Sequence, residues 1–268
     1  MENSCISLIT DFGLKDEYVG VMKGVIALKN PCVKVIDITH YIDPQNILQA
    51  AYTLLFSYSY FPKHTVHVIV VDPGVGSDRK IVAVKADDYF FLAPDNGVLS
   101  FILNEFLCTT IVVNRSEFFL PGVSNSFHGR DIFAPVSAHI AKYQQIEDLG
   151  DEISPKELIK LHNTGPYIDK GQIIGQFVMS DRFGNLISNI SFNDLKKFKA
   201  ADSFDIMNTI NIKFKDKKIV GIVNHYEQVK KKSMLAIIGS KGLLEISINC
   251  GNAKHDLNVE IGSKIYIS

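Results

Sequence analysis

The sequence predicts an α/β N-terminal domain with a mainly parallel sheet, followed by an all-β, barrel-like C-terminal domain. Three observations predict it. Runs of β-formers alternate with helically spaced apolar segments over the first half of the chain. After Gly171 helical spacing nearly vanishes, and short strands punctuated by Gly and Asn take over. Between the two patterns lies the turn-rich stretch Asn163-Thr164-Gly165-Pro166. The domains are therefore expected at residues 1–165 and 171–268.

The first strand is Ile6 to Thr10, ending in Asp11-Phe12-Gly13. Tyr18 to Lys29 places Val21, Met22, Val25, Ile26 and Leu28 at helical spacing. Val33 to Ile38 is a second strand, ending in Thr39-His40. Ile47 to Tyr60 reads as an apolar helix stopped by Pro62. Thr65 to Val71, Ile81 to Ala86, Tyr89 to Ala93 and Thr110 to Asn114 are further strands. The Ile81 and Tyr89 strands, joined by Asp87-Asp88, form an antiparallel hairpin. Gly97 to Phe106 and Asp131 to Tyr143 are helices. In the second domain the predicted strands are Gln172 to Met179, Ile210 to Phe214, Lys218 to Val223, Met234 to Ile238, Leu243 to Ile248 and Lys264 to Ile267. Only Asn193 to Phe198 has a helical look there.

Composition narrows the function. The chain has 268 residues, 46% of them hydrophobic, enough for one large core or two smaller ones. Its 28 basic residues balance 29 acidic ones, and no basic patch is patterned along it, so nucleic-acid binding is not expected. Cys5, Cys32, Cys108 and Cys250 are far apart and form no Cys-x-x-Cys pair. Neither a disulfide framework nor a zinc site is expected, and a reducing, cytoplasmic setting is. No basic-then-apolar leader and no apolar run of about 20 residues is present, so neither a signal peptide nor a membrane span is expected.

Two polar turns in apolar surroundings carry the chemistry. Val71-Asp72-Pro73-Gly74-Val75-Gly76-Ser77-Asp78-Arg79 follows a buried strand, so Asp72 is presented at the sheet's carboxyl edge. Ligands bind at that edge in open α/β sheets. Phe127-His128-Gly129-Arg130-Asp131 places His128 just ahead of a helix. One acid, one fixed cation and one imidazole can therefore meet to handle a water molecule or a polar substrate group. Asp11 is suited to a ribose diol; taken alone, an Asx turn or a helix cap is the slightly favoured reading. Asp95 or Asn96 is expected to cap the helix that follows. His64 and His67 point to opposite faces and do not suit a metal. His40 serves a structural hydrogen bond or the site. Ser180-Asp181-Arg182-Phe183-Gly184-Asn185 offers an acid, an aromatic and an amide for an amino-acid or nucleobase group, or is a hairpin turn with Gly and Asn at positive φ. No GxGxxG or Walker A motif occurs.

Taken together, the segments Leu8 to Gly13, Ile38 to His40, Val70 to Arg79, Ala93 to Gly97, Phe127 to Pro135, Asp181 to Ile190 and Gly239 to Ala253 resemble the S-adenosyl-L-methionine (SAM) hydroxide adenosyltransferases, adenosine-forming SAM hydrolases related to the fluorinase and chlorinase. The resemblance covers nearly the whole chain. It implies a homotrimer, with each SAM site between one subunit's α/β domain and its neighbour's β domain. It implies that Asp11 holds the ribose hydroxyls and that Asp72, Arg79 and His128 bind and orient water. Asp181 and Ser240 would hold the methionyl group, and Phe183, Asn185, Tyr226 and Ala253 would surround the adenine. SAM is then the substrate, adenosine and L-methionine the products, and no cofactor or metal is required. In the halogenases a tyrosine stands at the Asp72 position and no histidine at the His128 position. Gly251-Asn252 stands here where the fluorinase has an arginine. The alternatives are a chlorinase-like SAM-dependent halogenase and a non-catalytic SAM- or adenosine-binding protein.

Overall fold

A computed structural model of the chain describes residues 5–162, 164–199 and 207–268. The junction reading at Asn163 lies outside the described residues. The chain forms two compact units, Met1–Leu161 and His162–Ser268.

The first unit is built on a seven-stranded sheet. Its strands are β1 (Cys5–Thr10), β2 (Lys34–Thr39), β3 (Val66–Val70), β4 (Ile81–Ala86), β5 (Tyr89–Pro94), β6 (Cys108–Val113) and β7 (Gly150–Glu152), in the order β2-β1-β3-β5-β4-β6-β7. β2, β1, β3 and β5 run parallel, while β4, β6 and β7 pair antiparallel. Side-chain alternation sends Ile6, Leu8 and Val68 to one face, Ile9 and Ile69 to the other. Helices α1 (Tyr18–Lys29) and α4 (Ala134–Tyr143) cover the first face with Met22, Val25, Ile26, Val136 and Ile140. Helices α2 (Ile47–Leu55) and α3 (Ser100–Glu105) cover the second with Ala50, Leu54, Ile102 and Leu103. The β4–β5 hairpin turns through Asp87 at φ 52°.

Two predicted helices are shorter than their apolar spacing. α2 starts at an Asn46 cap, whose side chain accepts the Gln49 N–H, but it ends at Leu55 instead of Tyr60. The Ser57 hydroxyl donates to the Thr53 and Leu54 carbonyls, and the chain tightens into a 3₁₀ turn at Tyr58–Tyr60. α3 starts at Ser100, because Gly97 sits at φ 96°, outside helical conformation. Neither Asp95 nor Asn96 caps it, which corrects the sequence reading. Asp95 accepts the Ile159 N–H, and Asn96 joins the Val71 carbonyl to the Val98 N–H.

The second unit is an antiparallel barrel-like sheet. It contains β8 (Tyr167–Asp169), β9 (Gln172–Ser180), β10 (Leu186–Ser191), β11 (Asn211–Phe214), β12 (Lys217–Val220), β13 (Met234–Ile238), β14 (Leu243–Ile248) and β15 (Lys264–Ile267). The order is β12-β11-β15-β9-β10-β14-β13, with β8 beside β9. Val223, just past β12, bridges Ile237 of β13, so the two ends of the sheet nearly close. α5 (Phe192–Lys199) and a short α6 (Ala253–Asp256) flank it. Phe177, Leu186, Ile212, Phe214, Leu244 and Ile265 lie in its core. β10 had no strand signature in the sequence. Its register shifts against both β9 and β14, and the Asn189 side chain accepts the Gln176 N–H in place of a main-chain carbonyl. That breaks the period-two pattern. Among the described residues no helix is long and apolar enough to cross a membrane.

Candidate active site

β3 is buried along its whole length and delivers Asp72 to the carboxyl edge of the parallel strands. The loop after it folds tightly. Val75 N–H donates to the Asp72 carbonyl, and the Ser77 hydroxyl donates to the Gly74 carbonyl. Gly76 stands at φ 79°, and a Cβ there would run into the Asn125 carbonyl. This glycine lets the Asp72 loop lie directly on the loop that precedes His128.

Arg79 closes the loop onto Asp72. Its Nε donates to Oδ1 at 2.9 Å and Oδ2 at 2.8 Å, and its Nη2 lies 2.5 Å from Oδ2. The same Nη2 is 2.7 Å from His128 Nδ1. The Asp72 side chain is 5% exposed and that of Arg79 11%. The structure thus brings Asp72, Arg79 and His128 into one hydrogen-bonded row with Arg79 in the middle. Burial, with the neighbouring Arg79 charge, pushes the His128 imidazole below its ordinary pKa, against the opposing pull of Asp72, Asp131 and the Ser124 carbonyl.

His128 opens a turn the sequence reading took as ordinary helix. Residues Gly129–Phe133 form a π-helical turn, in which Ala134 N–H reaches back to the Gly129 carbonyl. Such turns recur at functional sites. Asp131 ties it down: its Oδ2 accepts the Ser124 N–H and hydroxyl, and Arg130 Nε donates to Oδ1. Burial alone would raise the Asp131 pKa, but these hydrogen bonds outweigh it and hold it low. No residue-type pattern announced Asp131 or Ser124 as supports, because their bonds span a loop of irregular backbone.

Asp11 follows β1 at the same sheet edge. His40 supports its turn: Nδ1 is 2.8 Å from the Thr10 hydroxyl, and its carbonyl accepts the Gly13 N–H. His40 is 2% exposed, and its Nε2 lies 3.1 Å from Asp37 Oδ1. Asp11 Oδ2 accepts the N–H of Gln45, which sits at φ 65°. A cavity of about 280 Å³ is lined by Asp11, Phe12, Gln45, Asp72, Phe127 and His128 among others. Gln45 carried no signal in the sequence; its place depends on a left-handed turn after Pro44. Phe127 packs edge to face against Phe12, which lines the cavity with it, and against Tyr18.

In the second unit, Asp181 organises the turn between β9 and β10. Its Oδ1 accepts the N–H groups of Phe183 and Asn185, and its Oδ2 accepts the Asn185 amide. Asn185 also reaches the Tyr226 hydroxyl at 3.4 Å. Only Gly184 of this turn adopts positive φ, where the hairpin reading had Asn185 as well. Phe183 is 75% exposed, a large apolar ring left open. Lys254 N–H donates to the Gly184 carbonyl, which brings Ala253 close to the turn. The Ala253 methyl packs in the core, so any ligand contact it makes is through the main chain. Ser240 sits exposed in the β13–β14 hairpin. Asp181, Asn185 and Tyr226 are thus joined, Ala253 is tied to them, and Ser240 is on a separate turn. Among the described residues no three His, Cys, Asp or Glu side chains gather as a metal site.

Comparison with known proteins gives these observations a context. The model of the SAM hydroxide adenosyltransferase N-terminal domain matches residues 6–150, and that of the C-terminal domain matches residues 175–266. An (R)-S-adenosyl-L-methionine hydrolase of Methanocaldococcus jannaschii is 35% identical, over 98% of this chain and 95% of that protein. One of Thermus thermophilus is 31% identical, over 97% and 98%. A fluorinase of Nocardia brasiliensis is more distant, 22% identical over 98% and 96%. The solved structure of an uncharacterized conserved protein from Thermotoga maritima superposes with a TM-score of 0.89 at 35% identity, covering 98% of this chain and 99% of that one. With both domain models matched in order along nearly its whole length, the chain belongs to the SAM hydroxide adenosyltransferase family.

Proposed function

We propose that this protein hydrolyses SAM to adenosine and L-methionine, with water attacking C5′ of the ribose. The observation that carries the reading is the Asp72–Arg79–His128 row on the edge of the cavity that Asp11 also lines. Asp11 is assigned to the ribose hydroxyls, Asp181 and Ser240 to the methionyl group, and Phe183, Asn185, Tyr226 and the Ala253 main chain to the adenine.

The bond from C5′ to sulfur breaks with its electron pair going to sulfur. The departing thioether is neutral and needs no acid. The positive charge of the sulfonium passes to the attacking oxygen, which must lose a proton. A carboxylate is a weak base, but an alkylated water is a far stronger acid than a carboxylic acid, so a carboxylate suffices. Asp72 Oδ1 accepts one bond from Arg79 where Oδ2 accepts two, so Oδ1 keeps a lone pair for the water. Arg79 holds that carboxylate in place. His128 is not the base. Its Nδ1 accepts from Arg79, which leaves the ring's single proton on Nε2. Holding the water in line with the breaking bond removes much of the entropic barrier.

The homotrimer is part of the same reading: the ligand-binding residues divide between the two units, so a neighbouring subunit can complete each site. Subunits carrying Asp11→Ala and subunits carrying Asn185→Ala should each be poorly active and regain activity when co-assembled. A cytoplasmic setting is supported by four unpaired cysteines.

Turnover of SAM in ¹⁸O-water tests the reading. The label should enter the 5′-hydroxyl of adenosine and stay out of methionine. Unlabelled adenosine, or a chlorinated nucleoside when chloride is present, overturns it. No product at all leaves only a binding protein.

A further inference from the structure

We propose that Asn96 is a positioning residue for the reaction: its side-chain amide holds the end of β3 so that Asp72 and Arg79 meet. The proposal rests on the hydrolase reading and adds to it the residue that sets where the Asp72 carboxylate stands.

The loop that carries the chemistry leaves the sheet at Val71 and rejoins it at Ile81, where β4 begins. β3 loses its neighbours just before Asp72. Its ladder with β5 stops at Val68, and its ladder with β1 stops at Val70. Val71 is nonetheless fully buried, and a buried carbonyl needs a donor. The Asn96 amide supplies it, with Nδ2 2.8 Å from the Val71 carbonyl oxygen. The orientation of that amide is fixed from its other end, because Oδ1 accepts the Val98 N–H at 3.2 Å. Asn96 is itself held in a tight turn, its own N–H donating to the Pro94 carbonyl.

The same turn holds the other end of the loop. The Asp95 N–H donates at 2.9 Å to the carbonyl of Lys80, the residue after Arg79, and Pro94 pairs with Ile81. Adjacent residues therefore fix the position before Asp72 and the position after Arg79. Their separation matters because Arg79 Nε reaches both Asp72 oxygens, at 2.9 and 2.8 Å, a geometry that a small slip would break. The Asp95 bond comes from the main chain. The Asn96 bond comes from a side chain, so it is the part of this clamp that depends on residue type. The residues lining the cavity include Asp72 but not Asn96, so Asn96 acts through the main chain of Val71.

The test is Asn96→Asp, which keeps an acceptor for the Val98 N–H and sets an oxygen against the Val71 carbonyl in place of the donor. With SAM, kcat should fall by about tenfold to 10²-fold, the scale of moving a reacting group by about 1 Å, and KM should stay within about twofold. In an Asp72→Asn background the same substitution should change kcat by less than about twofold, because the group it positions is gone. An equal loss of kcat in both backgrounds, a rise in KM as large as the fall in kcat, or unchanged kinetics overturns the proposal. If Asn96→Asp does not fold by thermal melting, Asn96→Ala is measured in the same two backgrounds; failure of both to fold makes Asn96 a folding residue and overturns the proposal. If wild type does not turn over SAM, the hydrolase reading has failed, and ¹⁵N NMR of the His128 ring decides on Asn96. A loop released at Val71 should move Arg79 away from His128 Nδ1 and change the shift of that nitrogen. An unchanged shift in a folded variant overturns the proposal.

Discussion

Arg79 determines which nitrogen of His128 carries the proton. Its Nη2 lies 2.7 Å from His128 Nδ1, and a guanidinium has only donors, so Nδ1 must offer its lone pair. The imidazole is therefore neutral and holds its proton on Nε2. This makes His128 an acceptor that steadies Arg79, while Arg79 steadies Asp72.

A neutral acceptor role predicts a specific pH dependence. Burial and Arg79 lower the His128 pKa, so the working neutral form persists down through the ordinary histidine value of about 6.5. Protonating Nδ1 at lower pH would set an N–H against the guanidinium. Activity should fall on the acid side, below about pH 6.5. His128→Asn keeps an acceptor oxygen near the Nδ1 position, and should retain turnover within about tenfold of wild type without that acid limb. His128→Ala should lose more. Equal, severe loss in both variants would make His128 the base.

Asp72→Asn should cut kcat by about 10²–10⁴-fold, the range for a general acid–base group, with SAM affinity little changed. Asp11→Ala should differ in kind. It would remove the proposed ribose contact and free the Gln45 N–H, so KM should rise along with any fall in kcat. Steady-state kinetics with equilibrium binding of SAM separates the two patterns. Near-wild-type kcat in a folded Asp72→Asn removes Asp72 from the chemistry.

His67 should make the first unit acid-sensitive. It is fully buried in β3, 2.6 Å from the Ser7 hydroxyl and stacked on Phe91, and burial lowers its pKa to about 3. The unfolded chain takes up this proton below about pH 6.5, and the native state does so only near 3. The stability it contributes is complete above 6.5 and lost as pH falls towards 3. Relative to a His67→Gln variant, wild type should therefore lose about 2 kcal/mol of its advantage between pH 7 and pH 5, at about 1.4 kcal/mol per pH unit. Urea unfolding of both proteins at the two pH values measures this. An unchanged difference would mean that His67 titrates alike in the folded and unfolded chain.

Much of the fold is legible without coordinates. The bounds of α1, β4, β13, β14 and β15 coincide with the predicted ones, because apolar periodicity runs unbroken through each and polar or glycine-containing turns adjoin them. The parallel N-terminal sheet follows from the alternation of strand and helix, and the β-rich second unit from its loss. β10 is different. Its register slips against both neighbours, and Asn189 stands in for the backbone, so no simple period survives. The ends of α2 and α3 were also out of reach, since the Ser57 hydrogen bonds and the positive φ of Gly97 are not registered by periodicity.

At the site, the sequence by itself named the candidates. A carboxylate after a buried strand, an arginine seven residues on and a histidine ahead of a helix are residue types and positions, and these are local. Tertiary structure decided how they connect. Arg79 stands between Asp72 and His128 because Gly76 admits the Asn125 carbonyl and Asp131 anchors the loop at Ser124. The left-handed Gln45 beside Asp11 and the tautomer of His128 depend on neighbours far away in the chain. Hydrogen-bond direction and desolvation are set by packing, and packing exists only once the chain has folded.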